Sequence, residues 1–214
     1  MKLTKITDQI ICIEEEEYPE HSNCYLIIGS EKCLLVDTGI GLINFNAIKE
    51  IFVDKKDLLV LISHFHFDHI GGINQFKKVL GRKINFKEKD LGKKYFDLKN
   101  KTIEEFNVDE SKVKTVSDEE TINLGNLKFK IIFTPGHDNS SICLFEEKEK
   151  ILISGDTIYD GNLYYDFKDS NKKEYIKSLE KILSLKPKIV LGGHNLPIKT
   201  NIQKFIKTKI QELT

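Results

Sequence analysis

Ile62-Ser63-His64-Phe65-His66-Phe67-Asp68-His69-Ile70-Gly71-Gly72 is the stretch on which the chain turns. Directly after the apolar run Leu58 to Ile62, it places three imidazoles and a carboxylate, His64, His66, Asp68 and His69, within six residues. Neutral imidazole with carboxylate suits zinc, iron or manganese, whereas a thiolate-rich cluster would indicate closed structural zinc. No cysteine lies in the stretch. Leu58 to Ile62 reads as a short buried strand, so the ligand-type residues sit at its C-terminal end, entering a helix that starts near Gly71. Open α/β sheets bind ligands at that end. His64 and His66, two apart in extended chain, face the same way, while Asp68 and His69 fall after the turn and point elsewhere. That split suits two adjacent metals better than one.

Working outward toward the N-terminus, Lys2 to Thr7 and Gln9 to Glu14 read as two strands, followed by the solvated acidic run Glu14 to Glu17 and Pro19. Asn23 to Ile28 and Cys33 to Val36 form a hairpin whose second strand runs into Asp37-Thr38-Gly39. Asp37 is either an orienting partner for a metal-bound imidazole or a turn residue. Phe45, Ile48, Ile51 and Phe52 predict a helix over Leu42 to Phe52. Beyond the central stretch, Ile73, Phe76, Val79 and Leu80 predict another helix, closed by Gly81. Alternating strands and helices are the pattern of a layered α/β fold.

Gly92 to Asn107, charged with scattered aromatics, reads as a short helix plus a variable loop. Strands resume at Val113 to Val116, Thr121 to Leu124 and Leu127 to Thr134, the last leading to Pro135-Gly136-His137-Asp138. Ser141 to Glu146 and Lys150 to Ser154 make a hairpin that delivers Gly155-Asp156-Thr157. Asn171 to Leu185 is an amphipathic helix stopped by Pro187. Ile189 to Leu191 is a strand ending in Gly192-Gly193-His194, and Asn201 to Leu213 is a closing helix. Thus His137, Asp156 and His194 each cap a strand in the second half. Of six histidines, all but His21 occupy such strand ends, which ordinary turn chemistry does not explain.

Composition narrows the class further. At 214 residues the chain reads as one domain over 1–214, with 33 basic and 33 acidic residues in balance. There is no basic block to bind nucleic acid, which disfavours a nuclease. No apolar run reaches signal-peptide or membrane-span length, so a cytoplasmic location away from membranes is expected. Cys12, Cys24, Cys33 and Cys143 stand singly in apolar surroundings and read as reduced core thiols. A homodimer is left open.

The set Asp37-Thr38-Gly39, His64-Phe65-His66-Phe67-Asp68-His69, Pro135-Gly136-His137, Gly155-Asp156 and Gly193-His194 resembles the metallo-β-lactamase superfamily, in the family's order and through most of the chain. The resemblance implies an α/β fold, an αββα four-layer sandwich of two mixed β-sheets with helices on both outer faces. It also implies a first metal site of His64, His66 and His137, a second of Asp68, His69 and His194, and Asp156 bridging them. The cofactors are then two divalent ions, zinc first, with iron or manganese as alternatives. Two such ions about 3.5–4 Å apart share a hydroxide that attacks a carbonyl at neutral pH, with Asp68 orienting it and taking its proton.

Departures from individual branches narrow the substrate to a small acyl compound, an ester, thioester or lactone. Over the 214 residues no signal peptide, large inserted domain, extended arm, flavin domain or glutathione-binding helical domain is expected. In similar acyl-homoserine lactonases a tyrosine three residues after the bridging aspartate contacts the substrate carbonyl. Tyr159 matches that offset, either as an oxyanion donor or as packing over the pocket. Tyr164, Tyr165 and His21 read as surface packing near the mouth. The alternatives kept are a mononuclear iron oxygenase resembling persulfide dioxygenase, using His64, His137 and Asp156, and a phosphodiesterase or nuclease.

Overall fold

The computed structural model describes residues 1–15, 22–53, 56–82 and 109–214. The expected loop at 92–107 and His21 lie outside them. Among the described residues, seven strands form one sheet in chain order: β1 (Lys2–Lys5), β2 (Ile10–Glu14), β3 (Asn23–Ile28), β4 (Lys32–Val36), β5 (Asp57–Leu61), β6 (Val79–Gly81) and β7 (Val113–Thr115). The first four pair antiparallel, and β4 through β7 pair parallel. A second sheet runs β12-β11-β10-β9-β8, from β8 (Thr121–Asn123), β9 (Lys128–Phe133), β10 (Ile142–Glu146), β11 (Ile151–Gly155) and β12 (Ile189–Gly192). Its one parallel pair is β11 with β12. Both sheets are therefore mixed.

Side-chain alternation sorts each strand between two layers. Leu34, Val36 and Leu61 from the first sheet meet Ile131, Leu144 and Ile153 from the second in a core between the sheets. The intervening residues Cys33, Leu35, Val60 and Ile62 face outward, onto α1 (Phe45–Ile48) and α2 (Phe67–Ile70). On the far side, Ile132, Cys143, Phe145 and Leu152 pack against α3 (Lys172–Leu185) and α4 (Ile202–Glu212). Strands covered on both faces need apolar residues throughout, and β10 and β11 are buried along their whole length. The four-layer α/β sandwich follows. No helix among the described residues is long and apolar enough to cross a membrane.

Local sequence sets the ends of α3. Asn171 caps it, its side chain accepting from the Glu174 N–H at 3.1 Å; Lys186 in the left-handed region (φ 52°) and then Pro187 end it.

Three expected elements are corrected. The helix expected from Leu42 begins at Phe45, because the Asn44 side chain accepts from the N–H groups of Asn46 and Ala47, and it passes into a π-turn over Lys49–Val53. The helix expected near Gly71 instead spans Phe67–Ile70, with His66 extended at its N-cap (φ −78°, ψ 151°) and Gly71 at its C-cap. Asp68 and His69 are therefore helical. The helix expected through Ile73 to Leu80 is a 3₁₀ turn, Ile73–Gln75, followed by strand β6. Ile73, Phe76 and Val79 do share one buried face, as a helix would require, but a turn leading into a strand between β5 and β7 satisfies the same spacing.

Candidate metal centre

Strand ends deliver the site. β5 leads to His64 and His66, β9 to His137, β11 to Asp156 and β12 to His194, while α2 presents Asp68 and His69. Six of these seven are buried, and His194 is partly exposed.

They assemble as two groups. In the first, His64 Nε2 lies 3.1 Å from His66 Nδ1, which lies 2.9 Å from His137 Nε2. In the second, Asp68 Oδ2 is 3.3 Å from both His69 Nε2 and His194 Nε2. Within each group one ligand atom per residue falls within 4.8 Å of every other. A tetrahedral ion with bonds of about 2.0–2.1 Å holds its ligands about 3.3 Å apart, so both groups have the spacing of a coordination shell. His69 Nε2 and Asp156 Oδ1, both buried, make no hydrogen bond although they face each other at 3.3 Å. Buried polar atoms left in that state are expensive, and a cation between them satisfies both.

The outward nitrogens are fixed by neighbours. His69 Nδ1 is 2.8 Å from Asp37 Oδ2, and His137 Nδ1 is 2.8 Å from the Tyr164 carbonyl oxygen. Each contact places a proton on Nδ1 and turns Nε2 inward as a ligand. Asp37 also accepts from the Ser63 N–H and hydroxyl, both at 2.7 Å, and Ser63 Oγ in turn sits 3.2 Å from His64 Nδ1. So Asp37, held at φ 65° after β4, orients His69 directly and His64 through Ser63. Of the two roles open to it, the orienting one matches this geometry.

Charges within the site follow from this packing. Burial, with the imidazole of His69 beside it, holds His64 well below the ordinary imidazole pKa, so it is neutral and offers a lone pair. Burial opposes ionisation of Asp68, but His69 and the hydrogen bond from His194 outweigh it and keep the carboxyl below its usual range. Asp156 is depressed in the same way, burial being overcome by His194 and His69. Against their own burial, His69 is raised well above the ordinary value by Asp68, Asp156 and Asp37, and His194 is raised to about 10, chiefly by Asp156. The second group is thus a place that demands positive charge, which a divalent ion supplies.

Two glycines are required by close approach. A Cβ on Gly193 would stand 2.1 Å from Asp156 Oδ1 and 2.8 Å from His69 Cε1. Gly155 has φ 47°, and a Cβ there would meet Ser63 Oγ at 2.5 Å.

Tyr159 stacks edge-on to His194, ring centroids 5.3 Å apart, and its hydroxyl donates to the Asn162 carbonyl at 2.5 Å. The phenolic proton is thus donated within its own loop. Tyr164 and Tyr165 are exposed. Several contributors escaped the sequence reading. Phe167 lies over His66 and His137, with centroids 4.4 and 5.3 Å away. Ser140 accepts from the Phe65 N–H at 3.2 Å and donates to Asp138 at 2.9 Å, tying the end of β5 to the approach of β10. Glu15, expected to be solvated with the acidic run Glu14 to Glu17, is instead buried after β2, where its carboxylate accepts from the N–H groups of Ile40, Leu42 and Ile43, which offset its burial and shape the loop after Asp37. Ser22 and Asn23 reach both Asp68 and the His194 loop. A polar residue opening an otherwise apolar strand, as Asn23 does in β3, was the one available signal.

The sequence profile described as the Metallo-beta-lactamase superfamily matches residues 18–194. Acyl-coenzyme A thioesterase MBLAC2 of Homo sapiens is 30% identical over 219 residues, spanning 87% of this chain and 78% of that protein. Atrochrysone carboxyl ACP thioesterase of Aspergillus fumigatus is 24% identical, spanning 88% of this chain and 55% of that protein. Among solved structures, the archaeal metallo-beta-lactamase superfamily protein ST1585 from Sulfolobus tokodaii shares the fold with a TM-score of 0.71 at 22% identity, covering 96% of this chain and 86% of that one. Profile, relatives and fold agree, and the chain belongs to the metallo-β-lactamase superfamily.

Proposed function

We propose that this protein is a two-ion hydrolase of acyl thioesters, with His64, His66 and His137 holding one ion, Asp68, His69 and His194 the other, and Asp156 between them. The observation that carries the reading is the position of Asp156. Its Oδ2 lies 3.8 Å from His64 Nε2, 3.6 Å from His137 Nε2 and 3.2 Å from His194 Nε2, and its Oδ1 lies 3.3 Å from His69 Nε2. One buried carboxylate borders both groups. The thioester class is supported by the thioesterase activity named for the two relatives.

When bound, two divalent ions bring a water's pKa near neutrality and polarise the substrate carbonyl. The residues of the chain do the rest. Asp37 and the Tyr164 carbonyl fix the imidazole tautomers. Asp68, ionised at neutral pH, would accept a hydrogen bond from the attacking water and orient it. Phe167 shields His66 and His137 from solvent and offers an apolar face to an acyl group. Zinc is the first expectation for the ions, with iron or manganese as alternatives.

Metal content of protein purified without added metal or chelator tests this, followed by a panel of acyl thioesters, lactones and phosphodiesters on the same sample. Two ions per chain with fastest turnover of a thioester supports the proposal. One iron per chain, with oxygen uptake on glutathione persulfide and no hydrolysis, would replace it with the oxygenase reading. His66→Ala and Asp68→Ala should each abolish hydrolysis with the circular dichroism of the parent; normal turnover in either refutes the assigned site.

A further inference from the structure

Strand β3 supplies no ligand-type residue to the centre, yet its start grips both halves of the second group. Ser22 and Asn23 are buried. The Ser22 hydroxyl donates to the Asp68 carbonyl oxygen at 2.5 Å. The Asn23 N–H donates to the Gly193 carbonyl at 2.6 Å, and its side-chain amide donates to the carbonyls of Gly192 at 3.1 Å and Asn195 at 2.8 Å. The backbone on each side of His194 is thus held by one residue. The Tyr25 hydroxyl adds a bond to the Gly192 carbonyl at 2.8 Å.

These bonds join parts that no strand ladder connects. β3 belongs to the seven-stranded sheet, and Gly192 ends the edge strand β12 of the five-stranded sheet. Asp68 Oδ2 and His194 Nε2, 3.3 Å apart, come from opposite sides of that division. The first group is held differently, by Asp37 through Ser63 and by the Tyr164 carbonyl. A coordination shell tolerates little drift of its ligands, so whatever sets the Asp68 to His194 separation sets the affinity for the ion they share.

We propose that Ser22 and Asn23 are positioning residues that fix the spacing of Asp68 and His194 and thereby the affinity of the second ion, leaving the first ion untouched. The proposal rests on the two-ion reading above. It assigns the pair a role separable from folding, because Asn23→Asp preserves shape while replacing a donating amide with a carboxylate that faces two carbonyl oxygens.

The test is dialysis of zinc-loaded protein against a graded series of chelator concentrations, with metal analysis of the retained protein and a melting temperature for each variant. A His194→Ala reference marks which equivalent belongs to the second group. Asn23→Asp and Ser22→Ala should release that equivalent at chelator concentrations at least about tenfold lower than the parent. The equivalent of the three histidines should leave at the parent's concentration. Unchanged release of both, or equal weakening of both, overturns the proposal; if Asn23→Asp does not fold, Ser22→Ala decides alone. A parent that holds fewer than two equivalents instead fails the two-ion reading, and the proposal with it.

Discussion

The buried Oδ2 of Asp37 lies 2.8 Å from Nδ1 of the buried His69. A carboxylate there raises the basicity of the imidazole and holds its ring to one orientation. Asp37→Asn should weaken metal affinity at the group containing His69 about 10- to 100-fold while the chain stays folded, as measured by competition with a chromophoric zinc chelator. Parent affinity would demote Asp37 to a turn residue.

Gly193→Ala puts a methyl where Asp156 Oδ1 already sits, at 2.1 Å. The carboxylate that borders both groups must then swing away. Loss of bound metal and a fall in turnover on the order of 100-fold are expected, against a small change for Gly161→Ala, whose Cβ would meet side chains outside the ligand set. Metal analysis and kcat on the two variants make the comparison. Retained metal in Gly193→Ala would show that Asp156 has room to move without consequence.

Tyr159→Phe removes a hydroxyl that donates to Asn162. The expected cost is about 1 kcal/mol of stability and less than about a tenfold change in kcat, since the proton lost is the one donated to the Asn162 carbonyl. A drop of about 10²–10³ in kcat would place the phenol on the developing oxyanion.

Burial pushes the thiol of Cys12 up to about 12 and that of Cys143 up to about 11, and Cys24 and Cys33 are raised for the same reason. Each folded value exceeds the unfolded one, so the neutral thiol favours the fold below pH 9 and that contribution is lost as pH rises through the folded values. Iodoacetamide at pH 8 should leave all four unmodified in the native chain and alkylate all four in denaturant, read by mass spectrometry. Rapid native labelling would contradict their burial.

How far the sequence reaches is instructive at individual positions. His64, His66, His137, Asp156 and His194 were legible at strand ends because an imidazole or carboxylate after an apolar run is costly unless something uses it. The layered α/β class was legible from the alternation of strands and helices, and the four-layer sandwich from the family resemblance. Val79 to Gly81 was not, since the spacing of Ile73, Phe76 and Val79 fits either a helix or a turn and strand against the same layer. The short helix carrying Asp68 and His69 was misplaced by four residues, because Gly71, which ends it, looks like a beginning when read without its neighbours. Phe167 and Ser22 gave no periodic signal; their importance arises from contacts far away along the chain.

The hydrogen bond from Asn23 to the Asn195 carbonyl joins residues 172 positions apart. Synthesis at about 5–20 residues per second separates their emergence from the ribosome by roughly 10–30 s. All three histidines of the first group have emerged by His137, but Tyr164, which orients that imidazole, comes 27 residues later, and the other group waits for His194 and its clasp for Asn195. A nascent chain therefore carries the residues of one group before those of the other, yet neither group is braced until the C-terminal third of the chain has followed.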